Sequence, residues 1–426
     1  MITSRSFKIL LLLVIFFSLS GSATQNLNGQ TSSECLLPDP LIMNNGNKVK
    51  NFSQWQNRRK ELMEFFTNEM YGRSPGRPSD MRFEITDTDT KALGGKAIRK
   101  QVVIYFTGKT NGPKMEVLIY LPANAKKPVP VFLGLNFWGN QAINPDPGIR
   151  ISESWIEDSG GSYVDLSCVK NHKATENCRG INSSQWPVET LIERGYGLVT
   201  AYRGDIDSDF YNGFTNSLYS QYPELQGRGD NFCAMSAWAW SLRRIMDYLE
   251  TDKNIDASKV ALFGWSRLGK AALWAAAQDE RFAMLISIQS GAGGIKLFHR
   301  GVGENIRRLC TVFPHWYCAN FKKYMDKDTC LSFDQHMVIA LVAPRPVYIS
   351  SAADDKNADP EGEFEGAKAA EPVYKLLKKE GLPAERQPPI NQPVFGQIGY
   401  HVRSGNHNVT SYDWEQYLHF ADIHLK

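Results

Sequence analysis

Net charge is almost absent from this chain of 426 residues, in which 48 Lys and Arg residues oppose 45 Asp and Glu residues for a formal net charge of +3. There is no run of basic residues, so nucleic acid is not an expected partner. Internal repeats and a linker-like change of composition are also absent. With 42% hydrophobic residues the chain can build one large core. These features favour a single domain.

Cysteines are few, seven in all, and none has the spacing of a zinc site, so we expect no structural metal. The odd number leaves at least one thiol free. Cys168 and Cys178 lie close together in a polar segment and are candidates for a disulfide. Cys310, Cys318 and Cys330 are candidates for a second bridge.

The N-terminus has the three parts of a secretory signal. Arg5 and Lys8 precede an apolar run over residues 9–19, and small residues follow, with Ala23 suitably placed for cleavage. The run is short for a membrane span and is followed by polar residues, which favours a cleaved signal over the alternative of an uncleaved anchor. We therefore expect a signal peptide over 1–23, a mature domain over 24–426 without a membrane anchor, and a secreted or periplasmic protein.

The order of apolar patterns indicates an α/β fold. "KAIRKQVVIYF" and "KMEVLIYLP" alternate like strands with one exposed face, and "VPVFLGLNF" is wholly apolar, like a buried parallel strand. Strand and helix patterns then alternate up to a closing helix in "DWEQYLHFADIHL". This order predicts a three-layer α/β/α sandwich with a mixed, mostly parallel sheet. A long polar insertion around 150–186 interrupts it and is typical of a functional loop.

A serine lies between a strand pattern and a helix pattern in "SKVALFGWSRLGKAALWAAAQD". Ser266 follows Gly264 by two residues, as in the nucleophile elbow of α/β-hydrolases, whose usual pattern is G-x-S-x-G. Here the second small position holds Leu268, and Gly269 comes one residue later. By itself this pattern is also compatible with a serine that merely caps a helix.

A nucleophilic serine requires a base and an acid, which follow it in chain order in α/β-hydrolases. His407 lies in a glycine- and asparagine-rich loop before the closing helix and is the preferred base over His401, which lies at a strand end. Asp354 and Asp355 follow the strand "RPVYISSA" and are the candidate acids. The alternative is that these carboxylates are solvated loop charges.

Several longer segments carry a family resemblance: "GWSRLGK", "QSGAGG", "APRPVYISSAADDKNADPEGEF" and "YHVRSGNHNVTSYDWEQYLHFAD". Together they resemble the glucuronoyl esterases, carbohydrate esterase family fifteen, in their bacterial form. The resemblance covers nearly the whole mature chain. It implies an α/β-hydrolase fold and a serine esterase without metal or other cofactor. The implied substrates are esters between glucuronic or 4-O-methyl-glucuronic acid on xylan and the alcohols of lignin.

The resemblance also implies roles for individual residues. Ser266 would be the nucleophile and His407 the base. Arg267 would help to hold the oxyanion, and Lys270 would contact sugar hydroxyls. Glu304, in "GVGENIRR", resembles a further sugar-contacting carboxylate.

The chain departs from the family at the acid. Fungal members have a glutamate just before "SGAGG", where this chain has Gln289, which cannot carry the charge that stabilises an imidazolium. Some bacterial members use an aspartate after the later strand instead, and Asp355 stands at that place, with Asp354 in reserve.

Two further departures concern the surroundings of the site. The usual tryptophan two residues after that aspartate is Asn357, so an aromatic platform for the sugar is missing there. The two cysteines that link the serine and histidine loops in fungal members are replaced by Trp265 and Asn408, so that disulfide cannot form.

We therefore expect a monomeric glucuronoyl esterase that binds glucuronoxylan or lignin–carbohydrate esters. One alternative is another carbohydrate esterase, such as an acetyl-xylan esterase. The other, motivated by the lost glutamate and tryptophan, is a non-catalytic glycan-binding protein.

Overall fold

A computed structural model of the protein describes residues 35–158, 165–211 and 218–426. Within these residues, the alternating and periodic apolar patterns of the sequence form nine strands and eight α-helices. The strands are β1 (Arg82–Ala92), β2 (Ala97–Tyr105), β3 (Lys114–Pro122), β4 (Val129–Asn136), β5 (Gly197–Tyr202), β6 (Ile255–Trp265), β7 (Met284–Ile288), β8 (Val347–Ala352) and β9 (Ile398–Arg403). The helices are α1 (Phe52–Phe66), α2 (Val188–Glu193), α3 (Ala234–Leu249), α4 (Arg267–Gln278), α5 (Ile306–Val312), α6 (Gln335–Ala340), α7 (Pro360–Leu376) and α8 (Ser411–Leu425).

All nine strands belong to one sheet, in the order β1-β2-β3-β5-β4-β6-β7-β8-β9. Three neighbouring pairs are antiparallel: β1 with β2, β2 with β3, and β3 with β5. The other five pairs, from β5 with β4 through to β8 with β9, are parallel. The predicted mixed, mostly parallel sheet of an α/β/α sandwich is thus confirmed. Residues 36–426 form one compact unit.

The expectation that β2 and β3 expose one face is wrong, since most of their residues are buried. Charged side chains on β2 are covered by partners from other segments. Arg99 forms an ion pair with Asp146 at 2.7 Å, and Lys100 forms one with Asp252 at 2.7 Å. Charged residues in a strand therefore looked like a solvated face, but paired charges can also be buried.

The wholly apolar strand β4 is buried, as predicted, and pairs in parallel with β5 and β6. Its neighbours β6, β7, β8 and β9 all run in the same direction. The loops after these strands therefore leave the sheet at the same edge, where ligands of open α/β sheets bind. This arrangement brings the segments that follow residues 265, 288, 352 and 403 together.

Described parts of the polar insertion pack on Tyr202, at the end of β5, in a small hydrophobic cluster that includes Ile156 and Leu166. The predicted disulfide between Cys168 and Cys178 is confirmed within it. The other cysteine prediction needs correction.

Cys310 and Cys318 are free and buried, so the disulfide of Cys330 involves neither of them. Closeness in the sequence did not bring these sulfur atoms together, because each thiol packs among other side chains. The predicted signal peptide over 1–23 lies outside the described residues. In the parts of the chain that the structure describes, none of the helices has the length and apolar character needed to cross a membrane.

Candidate active site

Ser266 occupies a sharp turn between β6 and α4, with φ 57° and ψ −129°. A positive φ is costly for a residue with a side chain and is held here by close packing of the turn. A Cβ atom on Gly264 would lie 2.2 Å from the carbonyl oxygen of Leu268, and one on Gly269 would lie 2.8 Å from that of Gly264. The small residues are thus required where this chain has them, while Leu268 is buried without conflict.

His407 and Asp355 meet through a hydrogen bond of 2.5 Å between Nδ1 and Oδ2. A carboxylate only accepts, so Nδ1–H donates and Nε2 keeps its lone pair. The other carboxylate oxygen of Asp355 accepts the backbone N–H of Ala358 at 3.1 Å. Asp355 is buried and Asp354 is exposed, so the structure brings the first of the two candidate acids to the imidazole.

His401 belongs to a different network. Its ring nitrogens lie 2.9 Å from Tyr348 Oη and 2.9 Å from an oxygen of Asp413, and the side chain is fully buried. Burial lowers the pKa of His401, against the opposing charge of Asp413. This histidine is a structural residue beneath the loop that carries His407.

One cavity of about 150 Å³ is lined by every residue that the sequence selected for the site. These residues are Ser266, Arg267, Lys270, Glu304, Asp355 and His407. They come from the segments after four different strands, β6 to β9, and from the first turn of α4. The cavity therefore combines a serine, a paired imidazole and two cations in one place.

Arg267 is held at the cavity by a carboxylate that sequence reasoning missed. Its Nη1 lies 2.5 Å from Asp209 Oδ2, and its guanidinium carbon lies 4.9 Å from the centre of the Trp316 ring. Asp209 also contacts Arg203 at 3.0 Å and His315 at 3.0 Å. Burial alone would raise the pKa of Asp209, but the charges of Arg203 and Arg267 hold it well below its usual value.

Lys270 is buried and forms an ion pair with Glu304, with 2.5 Å between Nζ and Oε2. Nζ also donates to the carbonyl of Ala292 at 2.6 Å. Burial lowers the pKa of Lys270, while Glu304 opposes that shift. An ammonium group has three donors, and two are used here, so one N–H remains for a bound hydroxyl.

An aromatic wall is present although Asn357 replaces the family tryptophan. Phe313 and Trp316 stack with ring centres 3.8 Å apart and planes 5° from parallel, and both line the cavity. The indole N–H of Trp316 donates to Asp209 at 2.7 Å. The segment "FPHW" signalled aromatic content, but only packing places these rings at the site.

Gln289 lines the cavity, yet the described hydrogen bonds of its side chain go to Asn408 rather than to the imidazole. Trp265, at the position of the fungal cysteine, stacks on His407 with ring centres 5.0 Å apart. Among the described residues, no group of three or more His, Cys, Asp or Glu side chains could hold a metal ion.

Comparison with known proteins finds related carbohydrate esterases. A family model described as fungal glucuronyl esterase matches residues 192–378. Carbohydrate esterase MZ0003, from an unknown prokaryotic organism, is 48% identical over 396 residues, which cover 91% of this chain and 89% of the relative. A solved glucuronoyl esterase from Solibacter usitatus has a TM-score of 0.85 at 41% identity, covering 92% of this chain and 98% of the other. A 4-O-methyl-glucuronoyl methylesterase from Schizophyllum commune is 24% identical over 378 residues, or 87% of this chain and 78% of that protein.

Proposed function

The chain belongs to the glucuronoyl esterase family, carbohydrate esterase family fifteen, and we propose that it is a serine hydrolase cleaving esters between glucuronic or 4-O-methyl-glucuronic acid on xylan and lignin alcohols. The observation that carries the proposal is the hydrogen-bonded pair of His407 and Asp355 in the same cavity as Ser266. A glycan-binding module would have no need for this pair or for a strained serine.

In the first half of the reaction, Ser266 Oγ attacks the ester carbonyl while His407 Nε2 takes its proton. Asp355 accepts from Nδ1–H and stabilises the imidazolium that forms. The imidazolium then delivers the proton to the oxygen of the leaving alcohol. A buried aspartate serves this purpose because its charge is held close to the imidazolium and shielded from water.

The developing oxyanion is stabilised by Arg267, which follows the nucleophile in the chain. One well-placed donor in such a site contributes roughly 3 kcal/mol. The ion pair with Asp209 fixes one end of the guanidinium, and Nε is buried without a described hydrogen-bond partner. The exposed N–H groups of this guanidinium, which lines the same cavity as Ser266, are suited to donate to the charged oxygen in the transition state.

The sugar ring is recognised by the Lys270–Glu304 pair and by the ring of Phe313. This ring lines the cavity and is half-buried, whereas Trp316 is buried against it. A uronate ester carries no charge at its carboxyl end until it is cleaved, so hydroxyls and the ring face are what the cavity can bind. Lys270 has a free donor for a hydroxyl, and Glu304 is an acceptor. Aromatic faces are suited to the C–H surface of a sugar.

In the second half, water takes the place of the alcohol. His407 Nε2 removes a proton from the water as its oxygen attacks the acyl carbonyl. The imidazolium then returns this proton to Ser266 Oγ as the acyl–oxygen bond breaks, which restores the serine and releases the free uronic acid. The same base and acid therefore serve both halves, and no cofactor takes part.

We further propose that the mature domain over 24–426 is exported and acts as a monomer on glucuronoxylan. The charged, then apolar, then small-residue pattern of the first 23 residues supports export, as does the Cys168–Cys178 disulfide, since such bonds persist in oxidising compartments. The six residues assigned to the site line one cavity of this chain.

The test is turnover of benzyl glucuronate and of acetylated xylan by the wild-type protein beside Ser266→Ala. The proposal expects release of glucuronic acid by the wild type, loss of it in Ser266→Ala, and little acetate from xylan. Acetate as the main product would point to an acetyl-xylan esterase. Binding of glucuronoxylan without release of either acid would point to a glycan-binding protein.

A further inference from the structure

The side chain of Gln289 forms two hydrogen bonds with the backbone of one residue, Asn408. Its Oε1 accepts the N–H of Asn408 at 2.9 Å, and its Nε2 donates to the carbonyl oxygen of Asn408 at 2.7 Å. Asn408 directly follows His407. Gln289 is almost fully buried, and its backbone N–H donates to the carbonyl of Ser350 at 2.8 Å. Burial and this backbone bond together fix the position of the side-chain amide.

A second side chain holds the same loop. Arg403 donates to the carbonyl oxygens of Asn406 at 2.9 Å and of Asn408 at 2.5 Å, which lie on either side of His407. Arg403 is buried and is itself fixed by Asp413 at 2.8 Å. The carbonyl of Asn408 therefore receives two donors, one from Gln289 and one from Arg403.

The ring of Trp265 stacks on the imidazole of His407. Trp265 and Asn408 stand where the resemblance places the two linked cysteines of fungal members. In this chain ring stacking holds the histidine loop to the serine loop, and the hydrogen bonds of Gln289 hold it to the segment after β7, in place of a covalent bond.

We propose that Gln289 is a positioning residue for His407, and that its amide is required because the loop presents one donor and one acceptor. This inference rests on the proposed esterase function. A carboxylate at this position would accept from the N–H of Asn408 but would lose the bond to its carbonyl, and its charge would face that oxygen. The glutamine is thus a clamp, and not the inactive remnant of a catalytic acid.

The first test compares Gln289→Glu, which keeps the shape and loses the donor, with Gln289→Met, which loses both groups. Gln392→Glu makes the same chemical change at an exposed position and is the matched control. Displacing a catalytic group by about 1 Å costs up to about 100-fold. We expect kcat for benzyl glucuronate to fall roughly 10- to 100-fold in both Gln289 variants, with KM within about twofold. Wild-type kcat in Gln289→Glu or Gln289→Met would overturn the proposal.

The second test separates a clamp from a vacant acid position. In the double variant Asp355→Asn/Gln289→Glu, a carboxylate able to serve the imidazole from position 289 would restore activity lost in Asp355→Asn. The clamp predicts that the double variant is no more active than Asp355→Asn alone. Recovery of activity would overturn the proposal.

The third test does not depend on turnover. Hydrogen exchange of the backbone amides over residues 404–410 should be faster in Gln289→Met than in the wild type, and unchanged in Gln392→Glu. Unchanged exchange would overturn the clamp even if the enzyme is active. If the wild-type protein does not cleave glucuronate esters, the proposed function fails, but this measurement still decides the clamp. Should the Gln289 variants fail to fold, slow exchange of the Asn408 N–H in the wild type is required instead.

Discussion

Asp209 and Arg267 form an ion pair of 2.5 Å in which the carboxylate is 1% exposed and the guanidinium is 30% exposed. The carboxylate is therefore inside the protein and the cation reaches the cavity. Asp209 also pairs with a second arginine, Arg203, which is buried as well. Asp209 thus supplies the counter-charge that keeps a cation beside Ser266.

Replacing this carboxylate should affect stability and catalysis together. In Asp209→Asn two arginines lose their common partner, and breaking a buried ion pair costs about 3–5 kcal/mol. We expect that loss in the free energy of unfolding by urea, with kcat/KM for benzyl glucuronate falling at least about tenfold. Asp326→Asn breaks the pair with Arg307, in which both side chains are more than half exposed, and should cost less than about 1 kcal/mol. Equal losses in the two variants would contradict this account.

The acid assignment predicts a sharp contrast between neighbours. Asp355→Asn should lower kcat about 10³- to 10⁴-fold, because an amide at this position does not stabilise the imidazolium. Asp354→Asn, one residue earlier and exposed, should stay within about twofold of the wild type. Steady-state kinetics on benzyl glucuronate decides, and a larger loss in the Asp354 variant would reverse the assignment.

Recognition of the sugar should be separable from ester chemistry. Lys270→Met removes the donor that we propose for a sugar hydroxyl, so kcat/KM for benzyl glucuronate should fall roughly 10- to 100-fold, as expected for a lost hydrogen bond to a charged group. Activity on p-nitrophenyl acetate, which has no sugar, should fall much less. Lys270→Met/Glu304→Gln also removes the unpaired carboxylate and should regain stability but not glucuronate activity. A parallel loss on both substrates would show that the lysine acts on the cavity as a whole.

The elbow predicts a steric effect at Gly264. A methyl group there would lie 2.2 Å from a backbone oxygen, which cannot move without disturbing the turn of Ser266. Gly264→Ala should cost more than about 3 kcal/mol or prevent folding. Gly76→Ala is the control, since a Cβ atom there meets nothing within 4 Å. Thermal unfolding of the two variants gives the comparison, and a stable Gly264→Ala would mean that the turn is looser than described.

Stability should fall as the pH rises because of Glu363. This carboxyl is fully buried and accepts from the N–H of Gly291 at 3.0 Å and from Ser351 Oγ at 2.7 Å. Burial raises its pKa from 4.5 to about 8. Between these values the folded state binds more protons than the unfolded state, so the slope of unfolding free energy against pH is negative.

The expected loss is complete above pH 8 and amounts to at most roughly 5 kcal/mol. Glu363→Gln cannot titrate, so its stability should change less than that of the wild type between about pH 5 and pH 8.5. Comparing Glu363→Gln with the wild type removes the contribution of other buried carboxyls. Urea unfolding at a series of pH values tests this, and identical slopes would contradict it.

Much of the architecture followed from patterns that are local in the chain. The apolar β4, the strand before Ser266 and the strand before Asp355 each show their type in a few residues, because burial and pleating act on neighbours. The order of serine, acid and histidine along the chain, each after a strand, then indicated that the three side chains meet at one edge of the sheet. Charge pairing misled the interpretation of β2, since its partners lie far away in the chain.

By itself the sequence determined which chemical groups the protein has, the strands that end just before them and the family that they resemble. Only the tertiary structure decided that Asp355 rather than Asp354 meets His407, that Asp209 holds Arg267, and that Gln289 binds the backbone of Asn408. Secondary structure arises from periodic patterns along the chain, whereas a hydrogen bond depends on a few tenths of an ångström between atoms from distant segments. Such distances are set only when the whole core packs.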